Sequence, residues 1–335
     1  MQVEKNISLL PFNTFHIHVE AGMFCRITTI DEAREAVAIK APDRLVLGGG
    51  SNILLTRNFD GLVIKTEIPG VEKIAETPET VTVRVGAGQN WHGFVQWCIA
   101  HGYGGVENLS LIPGCVGAAP MQNIGAYGAE ISHVCGAVHC LQVNDGQMLQ
   151  LGNSDCRFGY RESIFKHELK DRVIITHVDF QLQKQPVFNT SYGAIEAELD
   201  AMGVSTLSLQ AVSEAVIRIR QSKLPDPAVV GNAGSFFKNP VIPATQFDKL
   251  KQVYPSMPAY QSGALEMKVP AAWLIEQAGW KGYRLGDAGV HTRQALVLVN
   301  YKQATGCEIL HLSQQIIDSV QQKFGISLQR EVNIV

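Results

Sequence analysis

Several features that would place this chain quickly are missing from it. No apolar stretch reaches the ~20 uninterrupted residues that a membrane helix needs, so no membrane span is expected. No basic stretch followed by an apolar run opens the chain, so no secretory signal is expected. Neither sign of charge dominates: 28 Lys and Arg stand against 31 Asp and Glu, a net charge of −3. That balance offers nucleic acid or an anionic membrane no electrostatic footprint. The seven cysteines are odd in number and scattered, with no CxxC pair. Reduced thiols in a cytoplasmic protein fit this pattern better than a disulfide framework. HExxH, paired-cysteine sets and the P-loop patterns GxxxxGKS and GxxxxGKT are absent too, which removes the zinc and P-loop readings. There is no internal repeat and no low-complexity linker.

What is present is an ordinary globular composition, 46% hydrophobic and 18% charged over 335 residues, enough for two or three domains. Its 31 glycines cluster at 48–50, 86–88, 102–105, 114–128 and 231–234, which suggests backbone approaching a ligand closely. Periodicity predicts helices at 31–40, 91–100, 207–221, 245–253, 270–277 and 308–324. It predicts strands at 44–47, 62–64, 81–85, 138–143, 173–182 and 295–300, with a terminal strand over 328–335. Glycine loops follow strands in an α+β arrangement. The Pro-Asp-Pro at 225–227 is the best boundary.

The strand at 81–85 runs into Gly86 and Gly88, but position 91, where a third glycine of GxGxxG would fall, is Trp91; a Rossmann reading is rejected. LGGGSN at 47–52 remains. Gly48, Gly49 and Gly50 free the backbone to present N–H groups to an anion, and Ser51 and Asn52 add side-chain donors. A dinucleotide pyrophosphate is a natural guest. The segment PGCVGAAPMQNIGAYG at 113–128 carries little charge and two amides, Gln122 and Asn123, which suits a planar neutral ring. GNAGSFFKNP at 231–240 sets Ser235 between a small-residue turn and Lys238 and Asn239.

Together with VGAGQNWH, CRFGYRES, TSYG, KLPDP and the terminal Glu331, these motifs resemble, in order and over nearly the whole chain, the UDP-N-acetylenolpyruvoylglucosamine reductase family. Tyr192 within TSYG resembles the tyrosine loop of its longer, type I branch. The resemblance implies an α+β protein: a vanillyl-alcohol-oxidase-type FAD-binding fold of two subdomains plus a C-terminal α+β substrate-binding domain. The corresponding boundaries are 1–66 with a terminal strand at 326–335, then 67–223, then 224–325. It implies non-covalent FAD, with the pyrophosphate on Gly48, Gly49, Gly50, Ser51 and Asn52. The isoalloxazine would lie against Pro113, Gly114, Gly117, Ala118, Gln122, Asn123, Gly125 and Tyr127, with Ile175. It further implies NADPH as co-substrate, UDP-N-acetylglucosamine enolpyruvate as substrate, and a cytoplasmic monomer.

The family's reaction adds hydride to an enolpyruvyl alkene and leaves carbanion character beside a carboxylate. Arg161 suits polarisation of that carboxylate, because a guanidinium offers a fixed fork of donors. Glu331 suits the same region only if protonated, or through Arg161 or a water; a raised pKa is expected for it in the complex. By resemblance Ser235 protonates the carbanion. Lys223, Lys238 or Arg161 would stabilise the developing alkoxide, and the sequence leaves all three open. Also by resemblance, Tyr192, Lys223 and Asn239 reach the UDP diphosphate, and Tyr260 and Gln294 match other substrate positions. Two rivals are an FAD-dependent sugar or lactone oxidase and a catalytically inert flavin or nucleotide-sugar binder; GSFFKN with the terminal glutamate argues against the first, and the set Ser235, Arg161 and Glu331 against the second.

Overall fold

The computed structural model describes residues 1–192 and 194–335; Gly193, the last residue of TSYG, lies outside the described residues. Packing divides the chain into two units. One holds residues 1–7, 21–50 and 59–222, and the other 8–20, 51–58 and 223–335. The division falls inside LGGGSN, between Gly50 and Ser51, and again at Ser222 and Lys223, beside the Pro-Asp-Pro.

The first unit contains two sheets. The strands Glu20–Ile27, Phe59–Thr66 and Arg44–Leu47 run parallel, with Val3–Ser8 beside the first. The helix Ile30–Ala38 buries Ala33, Ala36 and Val37 in a core shared with Cys25, Ile27, Leu62 and Ile64. Thr29 starts that helix by accepting a bond from the Glu32 N–H at 3.1 Å, which satisfies one of the donors a helix start leaves unpaired. The second sheet is antiparallel, in the order Met148–Gly152, Cys135–Gln142, Val173–Gln183, Thr80–Gly86, Val71–Glu76. The expected alternation at 81–85 is realised: Val81, Val83 and Val85 are fully buried, and the residues between them are not. The helix Trp91–Ala100 packs Trp91 and Phe94 onto Phe180 of this sheet, with ring centroids 5.9 and 4.8 Å away.

The second unit has a four-stranded sheet, in the order Gly231–Ser235, Val297–Asn300, Ala288–Val290, Arg284–Leu285, and a three-stranded one, Val241–Pro243, Glu266–Lys268, Tyr260–Gly263. Its long helix, Gly306–Phe324, opens with a reciprocal cap between Thr305 and Glu308 and stops at Gly325, whose φ of 65° suits glycine. Among the described residues no helix is long and apolar enough to cross a membrane, and no acidic, histidine and cysteine cluster is arranged to hold a metal.

Three expectations change. The helix predicted at 207–221 is Leu209–Lys223, so Lys223 is its last residue and not part of a linker. The terminal strand predicted over 328–335 forms a ladder only at Asn333–Ile334, pairing parallel with Ile53–Leu54. The glycines at 86–88 serve packing: a Cβ on Gly86 would stand 2.4 Å from the Ile68 carbonyl oxygen, and one on Gly88 2.4 Å from backbone of Glu67.

Gly306 has the same character. A Cβ there would lie 1.9 Å from the Leu55 carbonyl oxygen, so only glycine lets the last helix press against the segment that carries Ser51 and Asn52. Gly306→Ala is expected to destabilise the protein by about 1–3 kcal/mol, the usual cost of overpacking, measured as a lowered midpoint of thermal or urea unfolding.

Candidate active site

In the first unit the two glycine-rich segments meet. LGGGSN leaves the strand Arg44–Leu47, and a Cβ on Gly49 would stand 2.6 Å from the Gly114 Cα. A Cβ on Gly48 would meet that of Ala118 at 3.7 Å. The 113–128 segment is laid along VGAGQN by backbone bonds: Trp91 N to Gly114 O at 3.0 Å, Val116 N to Gln89 O at 2.9 Å, and Gly117 N to Ala87 O at 2.9 Å. A Cβ on Gly117 would come within 2.5 Å of that of Ala87, so this approach also requires glycine. Pro113 and Ala118 remain exposed, and Gly48, Gly49, Gly114 and Gly117 are half-buried. The result is a side-chain-free groove floor with small apolar residues at its rim. It fits a diphosphate held by backbone donors and a flat ring lying on backbone.

Arg161 is tied to this segment. Its Nη2 donates to the Gly125 carbonyl at 2.7 Å. It sits at the tip of a tight turn closed by reciprocal backbone bonds between Gly159 and Glu162, and its φ is 58°. Ser163 anchors the turn by donating to the Met121 carbonyl at 2.7 Å. Asn123 and Tyr127 also hold left-handed backbone, with φ of 44° and 50°. Such conformations are uncommon for residues with side chains and are enriched where a site imposes geometry.

Tyr127 stands edge-on to Tyr192, with centroids 5.7 Å apart. The buried Asn108 joins their loops, donating to the carbonyls of Tyr127 at 2.9 Å and Asn189 at 2.8 Å. Asn189 returns a bond to the Gly128 carbonyl at 3.1 Å. Burial pushes the Tyr127 phenol's pKa up. Beside it lies Arg220, whose Nε is closed off from solvent without a hydrogen-bond partner among the described residues, and whose pKa is pulled down by burial. Burial and the Arg220 charge keep His92 below its ordinary pKa; its Nδ1 accepts from Leu111 N at 3.0 Å, where Leu111 has a φ of 58°.

The second unit gathers the other residues. Ser235 ends the strand Gly231–Ser235 and pairs with Val297. Immediately after it, the Phe236 carbonyl accepts from Glu331 N at 2.8 Å, and Phe237 bridges Arg330. The Glu331 carbonyl accepts from Asn52 Nδ2 at 3.4 Å. Asn52 O in turn accepts from Asn333 N at 3.1 Å. Ser235, Glu331 and Asn52 are therefore joined through two hydrogen bonds and a short run of backbone. Phe236 N donates to Leu296 O at 2.8 Å, which brings in the loop that carries Gln294. Among the described residues the Ser235 hydroxyl makes no hydrogen bond. Asn239 spends its Oδ1 on Ala271 N at 2.9 Å, capping the helix Ala271–Gln277, and keeps its Nδ2 donor.

Not every expected residue is placed for its expected part. The Asn123 side chain is committed within the protein: Nδ2 donates to Glu130 Oε2 at 2.7 Å and Gly159 O at 3.1 Å, and Oδ1 accepts from Ser132 N at 3.0 Å. Both of its amide hydrogens are used within the protein, where the side chain holds the loop in place. Ile175 is a core residue, 6% exposed. Tyr260 is 61% exposed on an edge strand, and Lys223 is exposed at its helix end. Sequence reasoning missed Asn108, Asn232 and Arg220. A polar residue within an otherwise apolar or glycine-rich motif was the available signal, and it does not distinguish a buried clamp from a surface residue.

Comparisons with known proteins add an independent line. Residues 226–335 match the family model "UDP-N-acetylenolpyruvoylglucosamine reductase, C-terminal domain", and residues 21–152 match "FAD binding domain". The chain is 48% identical to a UDP-N-acetylenolpyruvoylglucosamine reductase of Chromobacterium violaceum, over 99% of this chain and 98% of that one. It is also 48% identical to the one of Flavobacterium johnsoniae, over 100% of both. The crystal structure of the reductase from Thermus caldophilus superposes with a TM-score of 0.71 at 25% identity, covering 100% of this chain and 99% of that one. The expected fold class, an FAD-binding fold with a C-terminal domain of this family, is borne out.

The groove makes a direct prediction. Gly49→Ala places a methyl group against the Gly114 backbone, so the purified variant is expected to retain markedly less FAD per chain than the parent while keeping its far-ultraviolet circular dichroism; absorbance of the flavin against protein measures it.

Proposed function

Because this chain belongs to the UDP-N-acetylenolpyruvoylglucosamine reductase family, whose members are FAD-dependent oxidoreductases, we propose that it uses NADPH to reduce the enolpyruvyl group of UDP-N-acetylglucosamine enolpyruvate. The product is UDP-N-acetylmuramate, made in the cytoplasm for peptidoglycan synthesis, and the working form is a monomer. Residues 1–66 with 326–335, and 67–223, handle FAD in this reading, and 224–325 handle the UDP-sugar. The observation that carries it is the junction of Ser235 with Glu331: a hydroxyl without a hydrogen-bond partner among the described residues, one residue from the carbonyl that fixes the glutamate's backbone.

The cofactor's contribution when bound is hydride carriage from NADPH to the enolpyruvyl carbon. Gly48, Gly49, Gly50, Ser51 and Asn52 would hold its pyrophosphate, and residues from Pro113 to Tyr127 its ring. The chain's own task is to manage the charge that hydride addition creates. Arg161 orients the substrate carboxylate and stabilises enolate charge on it. Glu331, carrying a proton, donates to the same region; ionised, it would repel the enolate. Ser235 delivers its proton to the carbanion, and the resulting alkoxide needs a neighbouring cation, for which Lys223, Lys238 and Arg161 remain the candidates. Tyr192, Lys223 and the spare Nδ2 of Asn239 grip the diphosphate, and Tyr260 and Gln294 complete the substrate contacts.

Positioned proton transfer is typically worth about 10²–10⁴ in rate. Ser235→Ala should therefore bleach its flavin with NADPH at the parent's rate under anaerobic conditions, yet recolour about 10²–10⁴ times more slowly when the enolpyruvyl sugar is added. A parent enzyme that recolours only with oxygen would overturn the substrate, and a serine variant slow in the first half-reaction would overturn the role given to Ser235.

A further inference from the structure

The strand that ends at Ser235 is not regular. Asn232 pairs with Val299 and Ser235 with Val297, so three steps along one strand match two along its neighbour. One extra residue is accommodated, a β-bulge, with Gly234 at φ 69° and open space where a Cβ would stand. Successive residues of a strand point to opposite faces. The extra residue therefore puts Ser235 on the same face as Asn232; without it, the hydroxyl would leave from the other side.

One buried side chain spans the irregularity. Asn232 is 4% exposed. Its Oδ1 accepts from Gly234 N at 2.9 Å, and its Nδ2 donates to Val230 O at 2.8 Å and Pro225 O at 3.3 Å. Its own N–H is fixed by Thr14 O at 2.9 Å. An asparagine that bonds the N–H two residues on holds a turn that the backbone ladder cannot. The bonds to Val230 and Pro225 tie that turn to the loop that follows the helix ending at Lys223. All of its amide hydrogens are used, so Asn232 has none for a ligand.

We propose that Asn232 is a positioning residue for the reaction: it holds the bulge that aims the Ser235 hydroxyl and couples the bulge to the loop that follows Lys223. This rests on the proton-donor role of Ser235 argued above. Removing the side chain lets the turn relax. A displacement near 1 Å at a reacting group can cost about 10²-fold, and the loss falls only on the step that needs the serine's proton.

The test is a double-mutant cycle in the FAD-loaded enzyme, comparing Asn232→Ala, Ser235→Ala and the pair in both half-reactions. Asn232→Ala is expected to leave NADPH bleaching within about twofold and to slow recolouring by the enolpyruvyl sugar about 10²-fold. In the Ser235→Ala background it should add little, because the group it aims is gone. Asn232→Ser keeps a shorter acceptor for Gly234 N and should fall between parent and alanine variant; it replaces the alanine variant throughout if that one fails to fold. Equal slowing of both half-reactions, or effects that multiply in the double variant, would overturn the proposal and leave a purely structural asparagine. Recolouring unaffected by Ser235→Ala alone would instead sink the serine's role itself, and the inference with it.

Discussion

The gathered residues of the second unit depend on one backbone segment being hydrogen-bonded on both of its edges. Along one edge, Gln329, Arg330 and Glu331 pair with Lys238, Phe237 and Phe236. Along the other, Asn333 and Val335 pair with Asn52, Leu54 and Thr56. The C-terminal residues supply the join, and Gly306 keeps the second edge close by packing against Leu55 with no side chain between. The Glu331 backbone owes its position to this arrangement.

The first unit solves a different problem by subtraction. Bringing LGGGSN against the 113–128 segment requires backbone-to-backbone approach, and side chains at Gly49 or Gly117 would prevent it. The segment VGAGQN, which imitates a dinucleotide fingerprint in the sequence, is the support on which the second loop is laid. Polar side chains then fix the loops from behind: Asn123 from Glu130 and Ser132, and Ser163 from Met121. The glycines make the groove and the buried amides keep it open.

This division explains what could be read from the sequence. Alternating valines at 81–85 and the apolar stripe of the helix Gly306–Phe324 follow directly from burial on one face, and their elements are where periodicity puts them. Short edge strands such as Val71–Glu76 and Met148–Gly152 fully bury none of their residues and left no periodic trace. The glycines were legible as a group, but not what each of them meets: Gly86 and Gly88 lie against backbone of residues 67–69 and Gly49 against that of Gly114, contacts set by other segments of the chain. Ser235 stood out because it is a hydroxyl among glycines. Asn232, three residues earlier, did not, since its work is done by hydrogen bonds to carbonyls that any residue could supply.

Asn108 carries a further implication. It is 2% exposed, and its two amide hydrogens hold the carbonyls of Tyr127 and Asn189, one in each of two loops. Separating those loops strands a donor in a place that water does not reach, at a cost of about 1–3 kcal/mol. Asn189 returns a bond to the Gly128 carbonyl, so the two loops are fastened in both directions, and a shift in the backbone of one is passed to the other as a change in shared hydrogen bonding.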